Sequence, residues 1–192
     1  PSPTPYDDDD EPHLEIDADG VRAWVEQGLS VAWLDVREPH ELRYGFVDGA
    51  ALVPMNTVPS RLDEVPRADR LIVYCAAGMR SFGVATFLRE QGIDEAWSLS
   101  DGFPGAERAG ATTVTPPPDA KFLVTTPVRI SRDPLQVDGV DLGPDERRGR
   151  VHTVRRGDDG PVYAVAVTRA DGSRVVVPDL DESELERPRT NL

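Results

Sequence analysis

Leu71 to Cys75 reads LIVYC, an apolar run with no polar interruption, and a helical pattern, RSFGVATFLREQGI, follows within a few residues. A strand with one wet face alternates polar and apolar side chains; a strand with none is buried on both faces. Such a strand belongs inside a sheet that helices cover from both sides. SVAWLDV at residues 30–36 and AWSLS at 96–100 have the same character, and ALVPM at 51–55 is a shorter strand. Upstream, Leu14 and Ile16 alternate as in a strand. Asp17 or Asp19 can cap a helix with Val21, Trp24 and Val25 on its apolar face, ending near Gly28. REPHELRYG reads as a turn and short helix. In RSFGVATFLREQGI, Phe82, Ala85, Phe87 and Leu88 are expected on the inner face, and DGFPGAERAG reads as turn-rich. Strands alternating with helices over residues 14–110 predict an α/β domain, a parallel sheet with helices on both faces.

The pattern changes at TTVTPPPDA. Consecutive prolines favour an extended spacer, so residues 111–120 are expected to link two domains. Residues 121–187 then read as a small all-β domain built from KFLVTTPVRIS, RGRVHTVRR, PVYAVAVTRA and SRVVVPD. GDDG and ADGS are hairpin turn sequences, and only DESELE suggests helix. This half resembles an SH3-like barrel. Residues 1–13, PSPTPYDDDDEPH, are expected to be a disordered acidic tail, because like charges with prolines bury no apolar surface.

The net charge is −14, with sixteen acids against nine arginines in residues 14–110. Such a balance argues against a nucleic-acid partner. Arg147, Arg148, Arg150, Arg155 and Arg156 form a local basic patch in the second half, read as a solvated face or a dock for an acidic partner. No apolar run has the roughly 20 residues of a membrane span, and the first residues lack the basic and apolar regions of a secretory leader. The expectation is a cytoplasmic protein with no membrane partner. A single cysteine allows no internal disulfide.

That cysteine, Cys75, ends an apolar strand, which places its sulfur at the carboxyl edge of the sheet, where ligands bind in open α/β folds. The loop after it, Ala76-Ala77-Gly78-Met79, is nearly bare of large polar side chains. Gly78 can adopt positive φ, and amides of the loop and of the following helix start can turn toward the sulfur. Such surroundings lower a thiol pKa from about 8.5 toward roughly 3.5–7.5. Arg80 stands five positions after Cys75, able to hold an anion beside it. Ser81 reads equally well as a helix-start residue.

LDVREPHEL at 34–42, DGA at 48–50, LIVYCAAGMRS at 71–81 and WSLSDGF at 97–103 together resemble a single-domain rhodanese over residues 14–110. The resemblance implies a doubly wound parallel sheet and sulfur transfer. Cys75 would take a sulfane sulfur from a small donor such as thiosulfate and pass it, from a persulfide, to a thiol or protein acceptor. The amides of Ala76, Ala77, Gly78, Met79, Arg80 and Ser81 would cradle it. Phosphatases on related scaffolds use a loop one residue longer, C-x5-R, so C-x4-R favours sulfur over phosphate. A rhodanese-fold regulatory module with little turnover is the alternative.

Asp35 and Arg37 match the family's DVR. They either border the pocket or form an internal support, with Arg37 paired to Glu41. The family's GHIPGA reads GFVDGA here, with Phe46 for the histidine, and its double glycine reads Asp101-Gly102. Both changes question whether the cradle admits anionic donors. His13, His40 and His152 share no ligand spacing, so no metal is assigned, and no phosphate loop or dinucleotide fingerprint implies a cofactor. Trp24, Trp33 and Trp97 read as core. The β-rich half offers no nucleophile and is the place for a partner protein.

Overall fold

A computed structural model describes residues 13–188. All of the expected acidic tail except His13 lies outside the described residues. The first half runs β1 (Glu15–Ile16), α1 (Ala18–Glu26), β2 (Val31–Asp35), β3 (Phe46–Val47), β4 (Ala51–Leu52), β5 (Arg70–Tyr74), α2 (Met79–Glu90), β6 (Ala96–Leu99), α3 (Gly102–Arg108) and β7 (Thr113–Val114). Five strands form a parallel sheet in the order β1-β6-β5-β2-β4. The uninterrupted apolar strand β5 lies at its centre, as burial on both faces requires.

Alternation along β5 separates two cores. Leu71, Val73 and Cys75 face α2 and pack with Val84, Ala85 and Leu88. Ile72 and Tyr74 face α1 and α3, meeting Ala18, Val21 and Ala106. Each fully buried aliphatic side chain contributes about 1.5–3 kcal/mol, so this strand anchors both layers. Asp17 caps α1, its Oδ1 accepting the Gly20 N–H at 2.8 Å. Trp24, Trp33 and Trp97 are partly buried against the α1–α3 core.

Three sequence expectations are corrected. Phe82 is 43% exposed, because the inner face of α2 follows Ser81, Val84, Ala85 and Leu88, one residue out of phase with it. Val25 is also exposed, although it shares a helix face with Ala18 and Val21, because it lies in the last turn of α1. DGFPGAERAG holds the helix α3 rather than turns: Pro104 lies in its first turn, where a missing N–H breaks no bond, and Gly110, at φ +89°, follows its end.

The second half is β8 (Pro127–Ile130), β9 (Gln136–Val137), β10 (Val140–Asp141), β11 (Arg148–Gly157), β12 (Gly160–Thr168), β13 (Arg174–Leu180) and β14 (Leu185–Glu186). Five of these form an antiparallel sheet in the order β13-β12-β11-β8-β14. The GDDG turn joins β11 to β12 with Gly157 opposite Gly160. Its core gathers Phe122, Val128, Ile130, Val151, Tyr163, Val165 and Leu180. DESELE forms a short 3-10 turn, Glu182–Glu184, capped by Asp181, and then the strand β14 rather than a helix.

The two halves touch. Thr113 and Val114, within the segment expected as a spacer, pair antiparallel with Val47 and Phe46. Phe46 and Leu42 then bury against Val124 of the second half. Arg174 reaches back to Asp63 at 3.2 Å and Glu64 at 3.1 Å.

Candidate functional site

Cys75 follows directly on β5, so the strand's pleat aims its sulfur at the first turn of α2. Two glycines let the surrounding loops close on it. Gly78 has φ +93°, and a Cβ there would stand 2.5 Å from the Ser100 carbonyl oxygen. Gly102, at φ +60°, would drive a Cβ into the Ala76 carbonyl and the Ala77 nitrogen. The Phe103 N–H donates to the Cys75 carbonyl at 2.8 Å. The loop after β6 is therefore the outer wall of the cysteine loop, and neither glycine tolerates a side chain.

The sulfur is the acceptor of that loop. The Gly78 N–H lies 3.2 Å from Sγ and the Ser81 hydroxyl 3.7 Å. Ser81 is fully buried, bonded to the Gly78 carbonyl at 2.7 Å and to the Ser98 hydroxyl at 3.0 Å. Burial pushes the Cys75 thiol up, but the N–H groups of Ser81 and Ala77, the Ser81 hydroxyl and the Arg80 N–H outweigh it. The net direction is down, toward thiolate. An apolar pocket alone would have the opposite effect, so the amides decide.

Arg80 is held sideways. Its two terminal nitrogens each lie 2.7 Å from a different oxygen of Glu41. That ion pair draws the Glu41 carboxyl down to about 2, against some desolvation and with help from the Glu38 N–H. The expected Arg37–Glu41 pair does not form. Arg37 instead turns to Asp35, with its NH2 nitrogen 2.7 Å from Oδ2 and Nε 3.0 Å from Oδ1, and also donates to the Gly45 carbonyl. Asp35 lies two residues from Arg37 at the end of β2, which makes it the nearer partner. The Arg37 guanidinium stacks over Phe103 at 4.4 Å. Asp35 and Arg37 are both buried, and they brace the loops after β2 and β6.

Among the sequence-singled residues, Cys75, Gly78, Arg80 and Ser81 converge, while Ala76, Ala77 and Met79 form the exposed lip. Met79 is 87% exposed. The two departures that questioned access lie elsewhere. Phe46 is buried against Leu42 and Val124, and Asp101 pairs with Arg108 at 2.9 Å and accepts the Ala18 N–H at 3.3 Å. Sequence reasoning missed Glu41 as Arg80's partner, and Ser98 as Ser81's. Both follow from strand order: β2 and β6 flank β5, so the loop after β2 and the end of β6 meet the cysteine loop and the start of α2.

A family model for the rhodanese-like domain matches residues 17–109. A sulfurtransferase of Allochromatium vinosum is 29% identical over 102 residues, spanning 53% of this chain and 95% of that protein. The thiosulfate sulfurtransferase GlpE of Actinobacillus pleuropneumoniae is 37% identical over 84 residues, spanning 44% of this chain and 76% of that protein. With a parallel sheet of this order and a cysteine loop walled by glycines, the chain belongs to the rhodanese-like family, its rhodanese-like domain lying at residues 17–109 and a β-rich half following it.

Proposed function

We propose that the protein is a sulfurtransferase working through a persulfide on Cys75. The observation that carries this reading is the sulfur at the end of β5, ringed by N–H groups that lower its pKa. With thiosulfate as donor, the thiolate attacks the outer sulfur. The new S–S bond forms as the old one breaks, sulfite leaves with the bonding pair, and a Cys75 persulfide anion remains. A thiolate or cyanide then attacks the outer sulfur, and Cys75 departs as thiolate. The loop amides stabilise negative charge on either sulfur without a positioned acid or base. With one cysteine in the chain, the acceptor of the second step is external.

Its test is thiocyanate formation from thiosulfate and cyanide, compared with Cys75→Ser. A gain of one sulfur atom in mass, confined to Cys75, supports the persulfide. No product above the variant's background with thiosulfate, and none with an organic persulfide, overturns the proposal. Two observations favour the second reading, a regulatory module of low turnover: Cys75 is only 2% exposed, and Glu41 pairs with Arg80. Reversible oxidation of Cys75 without turnover would select it.

A further inference from the structure

The basic patch of the second half is not one surface. Arg147 pairs with Asp133 at 2.6 Å, Arg155 with Asp179 at 2.7 Å and Arg156 with Asp119 at 3.1 Å. Arg148 and Arg150 pair with no carboxylate among the described residues. They sit two apart on β11, on the side opposite the inward-facing Val151, and so project together from the sheet.

What they project into is a cleft between the halves. Two adjoining hollows of about 220 and 290 Å³ share Glu64, Arg150, Ala166 and Arg174. Arg61 lines the inner one and Arg148 the outer. Glu64 is the lone carboxylate in either lining, and it is already bound by Arg61 at 2.6 Å and by Arg174 at 3.1 Å. The cleft thus gathers four guanidinium groups against Glu64 and, behind Arg174, Asp63 at 3.2 Å, which leaves Arg148 and Arg150 as the cations without a carboxylate partner among the described residues. Among the described residues, the Arg150 side chain donates only to the Thr125 carbonyl, at 3.1 Å. Partial burial, then the nearby Arg61 cation, both disfavour its charge. Thr125 itself is a β-branched residue at φ +68°, and its buried hydroxyl has no partner among the described residues. Unmet hydrogen bonding and backbone strain together are features that structures retain at binding sites.

We propose that this cleft is a binding site for a small molecule carrying a phosphoryl or similar tetrahedral oxyanion. Guanidinium groups match such an anion by paired hydrogen bonds and stay charged at any working pH. The outer hollow, lined by both unpaired arginines, suits the oxyanion, and the inner one, walled by Ala50, Ala51, Leu52 and Val176, suits the group attached to it. The site is separate from the cysteine loop, which lies on the carboxyl edge of the sheet and contributes no lining residue.

Calorimetric titration of the full chain with inorganic phosphate and then pyrophosphate, at fixed ionic strength, tests the proposal. Saturable one-to-one binding is expected, weakened at least tenfold by Arg150→Gln and by Arg148→Gln. Arg155→Gln, in a patch residue already paired with an acid, is expected to bind as the parent does. Arg148 is exposed on a strand surface, so its variant keeps the test open should Arg150→Gln fail to fold. No saturable binding of either anion overturns the proposal, as does equal loss in all three variants. An acidic peptide, Asp-Asp-Asp-Asp-Glu, that binds where both anions do not also overturns it, and assigns the cleft to acidic polypeptide.

Discussion

Glu41 grips Arg80 with both oxygens, each 2.7 Å from its own guanidinium nitrogen, across 39 residues of chain. The arginine beside the sulfur is thereby already partnered by an anion. An anionic donor that seeks the same terminal edge of the Arg80 guanidinium must displace Glu41.

Glu41→Gln is expected to raise kcat/KM for thiosulfate by about twofold to fivefold, the scale of one partly exposed ion pair at roughly 0.5–1 kcal/mol. The rate with an uncharged organic trisulfide is expected to stay unchanged. A fall with thiosulfate would mean that Glu41 positions Arg80 rather than competing for it. The same substitution should alter acid stability. The Glu41 carboxyl is held down at about 2 from 4.5, so its stabilisation is complete above pH 4.5 and lost as pH falls toward 2. Urea midpoints of parent and Gln variant are therefore expected to converge across that window.

Ser81→Ala removes the hydroxyl from the sulfur and leaves Ser98 short of a partner. The pH at which Cys75 alkylation reaches half its maximal rate is expected to rise, since a bond to a charged acceptor favours the thiolate. Iodoacetamide kinetics against pH would show it. An unchanged profile would assign all the lowering to the backbone.

Gly78→Ala and Gly28→Ala compare strain with and without a clash. Both glycines have positive φ, but a Cβ at Gly28 meets nothing within 4 Å while one at Gly78 meets the Ser100 carbonyl. Gly28→Ala is expected to cost about 1 kcal/mol, and Gly78→Ala at least about 2 more, read from urea unfolding. Equal costs would mean that the loop after β6 yields without penalty.

Asp35→Ala strands the Arg37 charge in the interior. Its expected cost is about 3–5 kcal/mol, whereas Asp35→Ala with Arg37→Met should cost less than the first change alone. A chemical denaturation cycle of the two changes decides whether the pair acts as a unit.

Much of this was readable from residue pattern. LIVYC predicts a central buried strand, and the same run with GMRS after it predicts an amide-lined cysteine at a helix start. The α3 helix was not legible, because its proline and glycines are turn formers by local preference and form a helix only with Ala106 packed against Ile72 and Tyr74. Glu41 was not legible as Arg80's partner either. Local spacing favours Arg37, and only the order of strands in the sheet brings residues 41 and 80 together. The β-rich half was legible as strands, but the facing of Arg148 and Arg150 into a cleft depends on how that sheet meets the first half.

The pairing of Thr113–Val114 with Phe46–Val47 bears on how the protein can be divided. A fragment ending at residue 110 keeps every strand of the parallel sheet and the cysteine loop, yet it strips the cover from Phe46, Leu42 and the edge of β3. Bared aromatic surface beside an unpaired strand edge invites self-association. A fragment extended beyond Val124 would keep that cover but would take Ala120 and Phe122 out of the core of the second half, so residues 111–124 belong to both halves and a cut on either side of them bares one core.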